Sequence, residues 1–87
     1  MSYRVTFTSD GLNDLATLDR AIQLRITRKI KWLATNFEQV SPIGLAGDLA
    51  GYCKLRVGDY RIIYSTNAAE EVVTIHQIGH RREIYDR

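Results

Sequence analysis

The stretch "KLRVGDYRIIY", residues 54–64, decides the fold, because two apolar, alternating runs flank a short turn typical of a β-hairpin. A two-residue turn at Gly58 and Asp59 predicts three cross-strand pairs: Val57 with Tyr60, Arg56 with Arg61, and Leu55 with Ile62. Successive side chains of a strand point to opposite faces. One face of the hairpin is therefore apolar and carries Cys53, Leu55, Val57, Tyr60, Ile62 and Tyr64.

The other face of the hairpin gathers positive charge. It carries Lys54, Arg56, Arg61 and Ile63. Like charges directly opposite one another destabilise a sheet. A bound anion would offset this cost, and a plain solvated surface is the alternative that the spacing alone leaves open.

The sequence before the hairpin predicts a strand and two helices. Residues 3–8 alternate apolar and polar side chains, as a half-buried strand does. Ser9 or Asp10 is the expected N-cap of a short helix that ends near Leu18, and Asp19 is the N-cap of a longer helix over residues 20–37. The longer helix has an apolar stripe that consists of Ile22, Ile26, Ile30, Leu33 and Phe37.

The remaining segments complete a single α+β domain over residues 1–87. Residues 38–52 contain the one proline and indicate a loop, and residues 72–78 are apolar on both faces, as a central strand is. Gly79 is expected to end that strand. The predicted order is β-α-α-β-β-β, a small, mainly antiparallel sheet with two N-terminal helices packed on it.

Composition narrows the class of protein. The 87 residues carry a net charge of +2 and one cysteine, Cys53, which excludes an intramolecular disulfide. No apolar run has the length of a signal sequence or a membrane span, so we expect a cytoplasmic protein without membrane partners. The sequence has neither a glycine-rich phosphate loop nor metal-ligand spacing, so we expect neither a cofactor nor a metal.

A second basic group follows the last strand. It comprises His80, Arg81 and Arg82, with Tyr85 close behind. Guanidinium groups beside an aromatic ring suit a phosphate backbone and a stacked base. His76, inside the predicted strand, is interpreted as a structural residue.

Two segments together resemble the RelE/ParE family of bacterial type II toxin–antitoxin toxins. They are "LAGDLAGYCKLRVGDYRIIYS" (45–65) and "VVTIHQIGHRREIY" (72–85). The resemblance implies a RelE-like, ribosome-dependent endonuclease that cuts mRNA in the ribosomal A site and is neutralised by a cognate antitoxin. It also implies metal-independent attack of the RNA 2′-hydroxyl on phosphorus. No DNA-binding motif is visible, so operator DNA would be bound only through the antitoxin.

The resemblance also assigns the site. It gives Lys54, Arg61, Arg81 and Tyr85 as candidate catalytic residues and Arg56 as a candidate RNA-binding residue. From their own positions and chemistry, His80 is a further catalytic candidate, as an acid at the strand exit beside the arginines, and Arg82 and Tyr52 are further RNA-binding candidates. Tyr52 stands where the RelE pattern has a further lysine. Two other functions share the fold and remain alternatives: a ParE-like inhibitor of DNA gyrase without RNase activity, and a module that only binds an acidic partner.

Overall fold

The computed structural model describes residues 2–45, 47 and 50–80. These residues form β1 (Arg4–Phe7), α1 (Ser9–Ala16), α2 (Arg20–Thr35), β2 (Ile43–Gly44), β3 (Cys53–Val57), β4 (Tyr60–Asn67) and β5 (Val72–His80). A short 3-10 helix, Phe37–Gln39, follows α2. Within this part of the chain, no helix combines the length and the apolar character that crossing a membrane requires.

The five strands form one sheet in the order β1-β5-β4-β3-β2. β1 runs parallel to β5, and every other neighbouring pair is antiparallel. The hairpin of β3 and β4 has the predicted register, including Arg56 opposite Arg61. The predicted α+β class, with two helices on a mainly antiparallel sheet, is confirmed.

Two details of the sheet differ from the prediction. Residues 43–44 were expected in a loop but form β2, where Ile43 pairs with Lys54 of β3. A strand of two residues is too short to show alternation in the sequence. Gly79 does not end β5, because it pairs with Arg61 and the strand continues to His80.

Each of the two α-helices begins at a residue whose side chain caps it. Asp19 is the N-cap of α2, as predicted, and its Oδ1 accepts a hydrogen bond from the backbone N–H of Ile22 at 3.0 Å. The N-cap of α1 is Thr8, one residue before the expected position. Its Oγ1 accepts from the backbone N–H of Gly11 at 3.0 Å.

The core lies between α2 and one face of the sheet. The predicted stripe of α2 is confirmed, since Ile26, Ile30 and Leu33 are buried. They pack with sheet residues Ile62, Tyr64, Val73, Ile75 and Ile78. This arrangement assigns the apolar face of the hairpin to the core and leaves its basic face on the opposite side of the sheet.

α1 covers the edge of β5 where β1 stops. The Thr8 backbone N–H donates to the Ile75 carbonyl at 3.0 Å, and the Ile78 backbone N–H donates to Asp14 Oδ2 at 3.0 Å. Gly11 of α1 lies so close to β5 that a Cβ on it would overlap the Ile75 carbonyl oxygen. The helix therefore satisfies strand groups that would otherwise be exposed at the sheet edge.

Tyr64 is a buried titratable group of this core. Its side chain is 1% exposed, and it pairs across the hairpin with Cys53. Burial raises the pKa of Tyr64 to about 12, with a smaller contribution from the neighbouring Cys53 thiol. The folded protein therefore keeps this phenol protonated at pH values that ionise a tyrosine in the unfolded chain.

We predict that Tyr64 destabilises the fold in alkali. Below pH 10 both states keep the proton, but above it the unfolded chain ionises first, so the free energy of unfolding falls. At pH 11 this loss is about 1.4 kcal/mol. Urea unfolding at pH 8 and pH 11 should show a larger loss for the wild type than for Tyr64→Phe, and equal losses would contradict the assignment.

The approach of α1 to β5 gives a second prediction. Gly11→Ala should lower the free energy of unfolding by about 1–3 kcal/mol, because the new methyl group meets a backbone carbonyl that cannot rotate away. The matched control is Gly44→Ala, where a Cβ meets no atom within 4 Å. Urea unfolding measures both variants. A Gly11→Ala protein as stable as the wild type would show that α1 does not pack this closely.

Candidate functional site

The sheet face opposite α2, called here the basic face, carries the charged side of the hairpin. Lys54 pairs with Ile63, and Arg56 pairs with Arg61, so all four side chains share this face. Lys54 and Arg61 are half-buried and Arg56 is exposed. With Ile43 and Leu55, the three cations line a cavity of about 240 Å³. The structure therefore brings these three predicted site residues together.

The hairpin turn relieves part of the crowding on this face. Arg56 Nε donates a hydrogen bond to the Gly58 carbonyl at 3.0 Å, which draws its guanidinium toward the turn. Arg25 of α2 reaches the same turn, since its guanidinium lies 2.8 Å from where a Cβ on Gly58 would be. Arg25 is thus a further cation at the hairpin turn. The sequence gives no sign of this contact between α2 and the turn.

A β-bulge in β5 changes what the basic face presents. Ile63 pairs with Gln77 and Tyr64 pairs with Ile75, so the register skips His76. The extra residue puts His76 and Gln77 on the same face, beside Ile63. Ile63 is 2% exposed although it lies on the side away from α2. It forms the floor of a pocket next to the cations.

This pocket has a volume of about 250 Å³ and is lined by Thr8, Asp10, Tyr52, Ile63, His76 and Gln77. The rings of Tyr52 and His76 are 4.7 Å apart between centroids and nearly perpendicular. Ser65 Oγ and His76 Nε2 form a hydrogen bond of 2.7 Å. Desolvation lowers the pKa of His76, so its ring is neutral at pH 7.

His76 was expected to be structural, and its place in this pocket was not predicted. The bulge that exposes it depends on pairing between two strands, and strict alternation along β5 gives no sign of an extra residue. The nearest signal in the sequence is the run of two polar residues, His76 and Gln77, in the middle of an apolar strand.

The other predicted site residues fall into two groups. His80 pairs with Tyr60, with ring centroids 5.6 Å apart, and therefore lies on the face opposite the cations. It was expected beside the arginines, but the extension of β5 past Gly79 turns it to the other side. Arg81, Arg82 and Tyr85 lie outside the described residues.

The described residues offer little to a metal ion. No three of their His, Cys, Asp and Glu side chains come close enough together to hold one. What the basic face offers instead is a set of cations for a phosphate, next to a pocket with two aromatic rings, one amide and one carboxylate. A phosphate bound by forked guanidinium groups, with its base beside an aromatic ring, fits such an arrangement.

Comparison with known proteins identifies the family. A family model described as "ParE toxin of type II toxin-antitoxin system, parDE" matches residues 5–85. Toxin YoeB of Streptomyces coelicolor is 38% identical over 76 residues, covering 80% of this chain and 90% of that protein. A RelE-like toxin protein of Escherichia coli is 29% identical over 82 residues, covering 93% of this chain and 85% of that protein.

A solved structure agrees with these relatives. The toxin–antitoxin complex RelBE2 from Mycobacterium tuberculosis contains a chain that matches this fold with a TM-score of 0.84 and 28% identity, and the match covers 93% of each chain. The family model covers the basic hairpin, and the match to the solved chain extends over nearly the whole fold. The chain belongs to the RelE/ParE family and is a toxin of a type II toxin–antitoxin system.

Proposed function

We propose that this toxin is a ribosome-dependent endoribonuclease that cuts mRNA in the A site and so halts translation in the cytoplasm. The observation that carries the proposal is the gathering of Lys54, Arg56 and Arg61 on one sheet face, where Arg56 and Arg61 are paired in spite of their like charge. A polyanionic substrate offsets that repulsion, and the named relatives, a YoeB toxin and a RelE-like toxin, support this branch of the family.

In the reaction that we propose, the RNA supplies the nucleophile and no metal ion takes part. The 2′-hydroxyl oxygen bonds to the adjacent phosphorus and loses its proton to a base, while the bond from phosphorus to the 5′ oxygen breaks. The leaving oxygen takes a proton, and the products are a 2′,3′-cyclic phosphate and a 5′-hydroxyl. Catalysis therefore requires a base, a cation for the added negative charge, and an acid.

The geometry supports two of these roles. Arg61 lies opposite Arg56 on the basic face, and its guanidinium fork matches phosphate oxygens, so we assign charge stabilisation to it. Lys54 lies on β3, two residues before Arg56 and on the same face, and we assign the role of base to it. Arg56 holds the RNA backbone from its position at the turn.

We assign the other roles to residues that follow β5, and the family resemblance and the residue types are the grounds for doing so. Arg81 is our candidate for protonating or neutralising the leaving oxygen, since His80 contacts Tyr60 on the far side of the sheet. Tyr85 stacks on a base or orients the 2′-hydroxyl, and Arg82 adds a contact to the RNA backbone.

A cognate antitoxin is the partner that we propose for this surface. The similar chain of known structure was solved in a toxin–antitoxin complex. A segment of antitoxin that carries carboxylates would neutralise the basic face and exclude RNA from it. Operator DNA would then be reached through the antitoxin.

We predict that Arg61→Ala reduces A-site cutting by at least about 100-fold, because the transition state loses its main cation. Toeprinting on translated mRNA with purified ribosomes measures this. The matched control is Arg28→Ala on the exposed side of α2, which should cut like the wild type. If Arg61→Ala cuts at the wild-type rate, the assignment of the site is wrong.

The description of the matching family names ParE, so DNA gyrase remains the second candidate target. Pulse labelling after induction separates the two functions. A nuclease stops incorporation of labelled methionine first, whereas a gyrase inhibitor first causes DNA damage and filamentation. Damage that precedes the block in protein synthesis would contradict the nuclease.

A further inference from the structure

We propose that the pocket lined by Tyr52, His76 and Ile63 binds one base of the substrate RNA and favours a base with an exocyclic amino group over uracil. This inference rests on the proposed nuclease function and adds a recognition site to it. It is argued from the position of the pocket, its walls and its polar groups.

The position of the pocket fits the nucleotide next to the reacting phosphate. Lys54, Ile63 and Gln77 are paired in one row across β3, β4 and β5. Neighbouring strands are about 4.8 Å apart, so the pocket floor at Ile63 lies directly beside Lys54, and the backbone of Gln77 lies about 10 Å from that of Lys54. A base that extends from the sugar beside a phosphate held at Lys54 can therefore reach the pocket.

The walls of the pocket suit a flat ring. The rings of Tyr52 and His76 contact each other edge to face and, with the buried side chain of Ile63, line a space of about 250 Å³. Because its ring is neutral, His76 stacks without attracting a phosphate. The hydrogen bond between Ser65 Oγ and His76 Nε2 holds one ring nitrogen and fixes the orientation of the imidazole.

The polar groups select the part of the nucleotide that enters. The Thr8 hydroxyl is already used, since it accepts from the Gly11 N–H and contacts the Ile75 and His76 carbonyls. Asp10 and Gln77 are exposed at the pocket and make no side-chain hydrogen bond to the described part of the chain. A carboxylate repels a phosphate, so the pocket takes the base.

The same two groups give the base preference. A carboxylate only accepts hydrogen bonds, whereas an amide both donates and accepts. The amino groups of adenine, cytosine and guanine donate to Asp10. Uracil has no amino group, and its one donor on that edge, the N3–H, is flanked by two carbonyl oxygens that the carboxylate repels.

The test is the base preference of cutting on ribosomes, measured by toeprinting with mRNAs that differ at one position of the A-site codon. The wild type should cut codons with an amino base at one position at least about tenfold better than the uridine codon. Asp10→Asn should bring this ratio close to one, because an amide can donate to the uracil oxygen. Gln77→Ala should weaken the preference in the same direction.

Two controls make the result decisive. Glu38→Gln changes an exposed acid to an amide outside the pocket and should keep the wild-type preference. Tyr52→Ala should lower cutting of all four codons through the loss of stacking, and Tyr52→Phe should restore it.

The possible failures are distinguishable. A wild type that cuts, with an Asp10→Asn variant of unchanged preference, overturns the base pocket and leaves the nuclease standing. A wild type that cuts nothing on ribosomes overturns both proposals.

Discussion

The register of the β3–β4 hairpin is the constraint on which the rest of the structure depends. Gly58 has a φ of +57° at the first turn position, which L side chains rarely adopt, and it fixes which residues pair. A slip of one residue would exchange the two faces and send Lys54 and Arg61 into the core against α2. The turn therefore sets the core and the charged surface at once, and the Gly58 carbonyl also accepts the hydrogen bond from Arg56.

The bulge in β5 is a second constraint, and it acts on the same surface. β5 supplies Ile75 and Ile78 to the core, and the extra residue between them lets both point inward while His76 and Gln77 point outward. α1 holds this segment at its edge through Thr8 and Asp14. The region that carries the pocket is thus fixed from both sides, by β4 and by α1, which suits a site that must recognise a ligand.

The fold was largely predictable because local chemistry decided most of it. The alternation of apolar and polar residues predicted the two faces of the hairpin. Asp19 predicted the start of α2, and apolar residues spaced three or four apart predicted its buried stripe. Other features depend on contacts between distant segments. β2 forms only because it pairs with β3. His80 lies on the face away from the cations because pairing with β4 continues β5 past Gly79, so that His80 pairs with Tyr60. The positions of His76 and Arg25 were not predictable for the same reason. His76 is placed by the bulge in β5, and Arg25 by the contact of α2 with the hairpin turn.

The most direct test of the central claim is the chemistry of the RNA ends after the purified toxin acts on a ribosome with a defined mRNA. Attack by the 2′-hydroxyl leaves a 2′,3′-cyclic phosphate upstream of the cut and a 5′-hydroxyl downstream, and our account predicts this pair of ends within the A-site codon. Fragments with a 5′-phosphate would mean that water attacks instead. Intact mRNA on ribosomes stalled by a toxic protein would mean that the basic face binds without cutting.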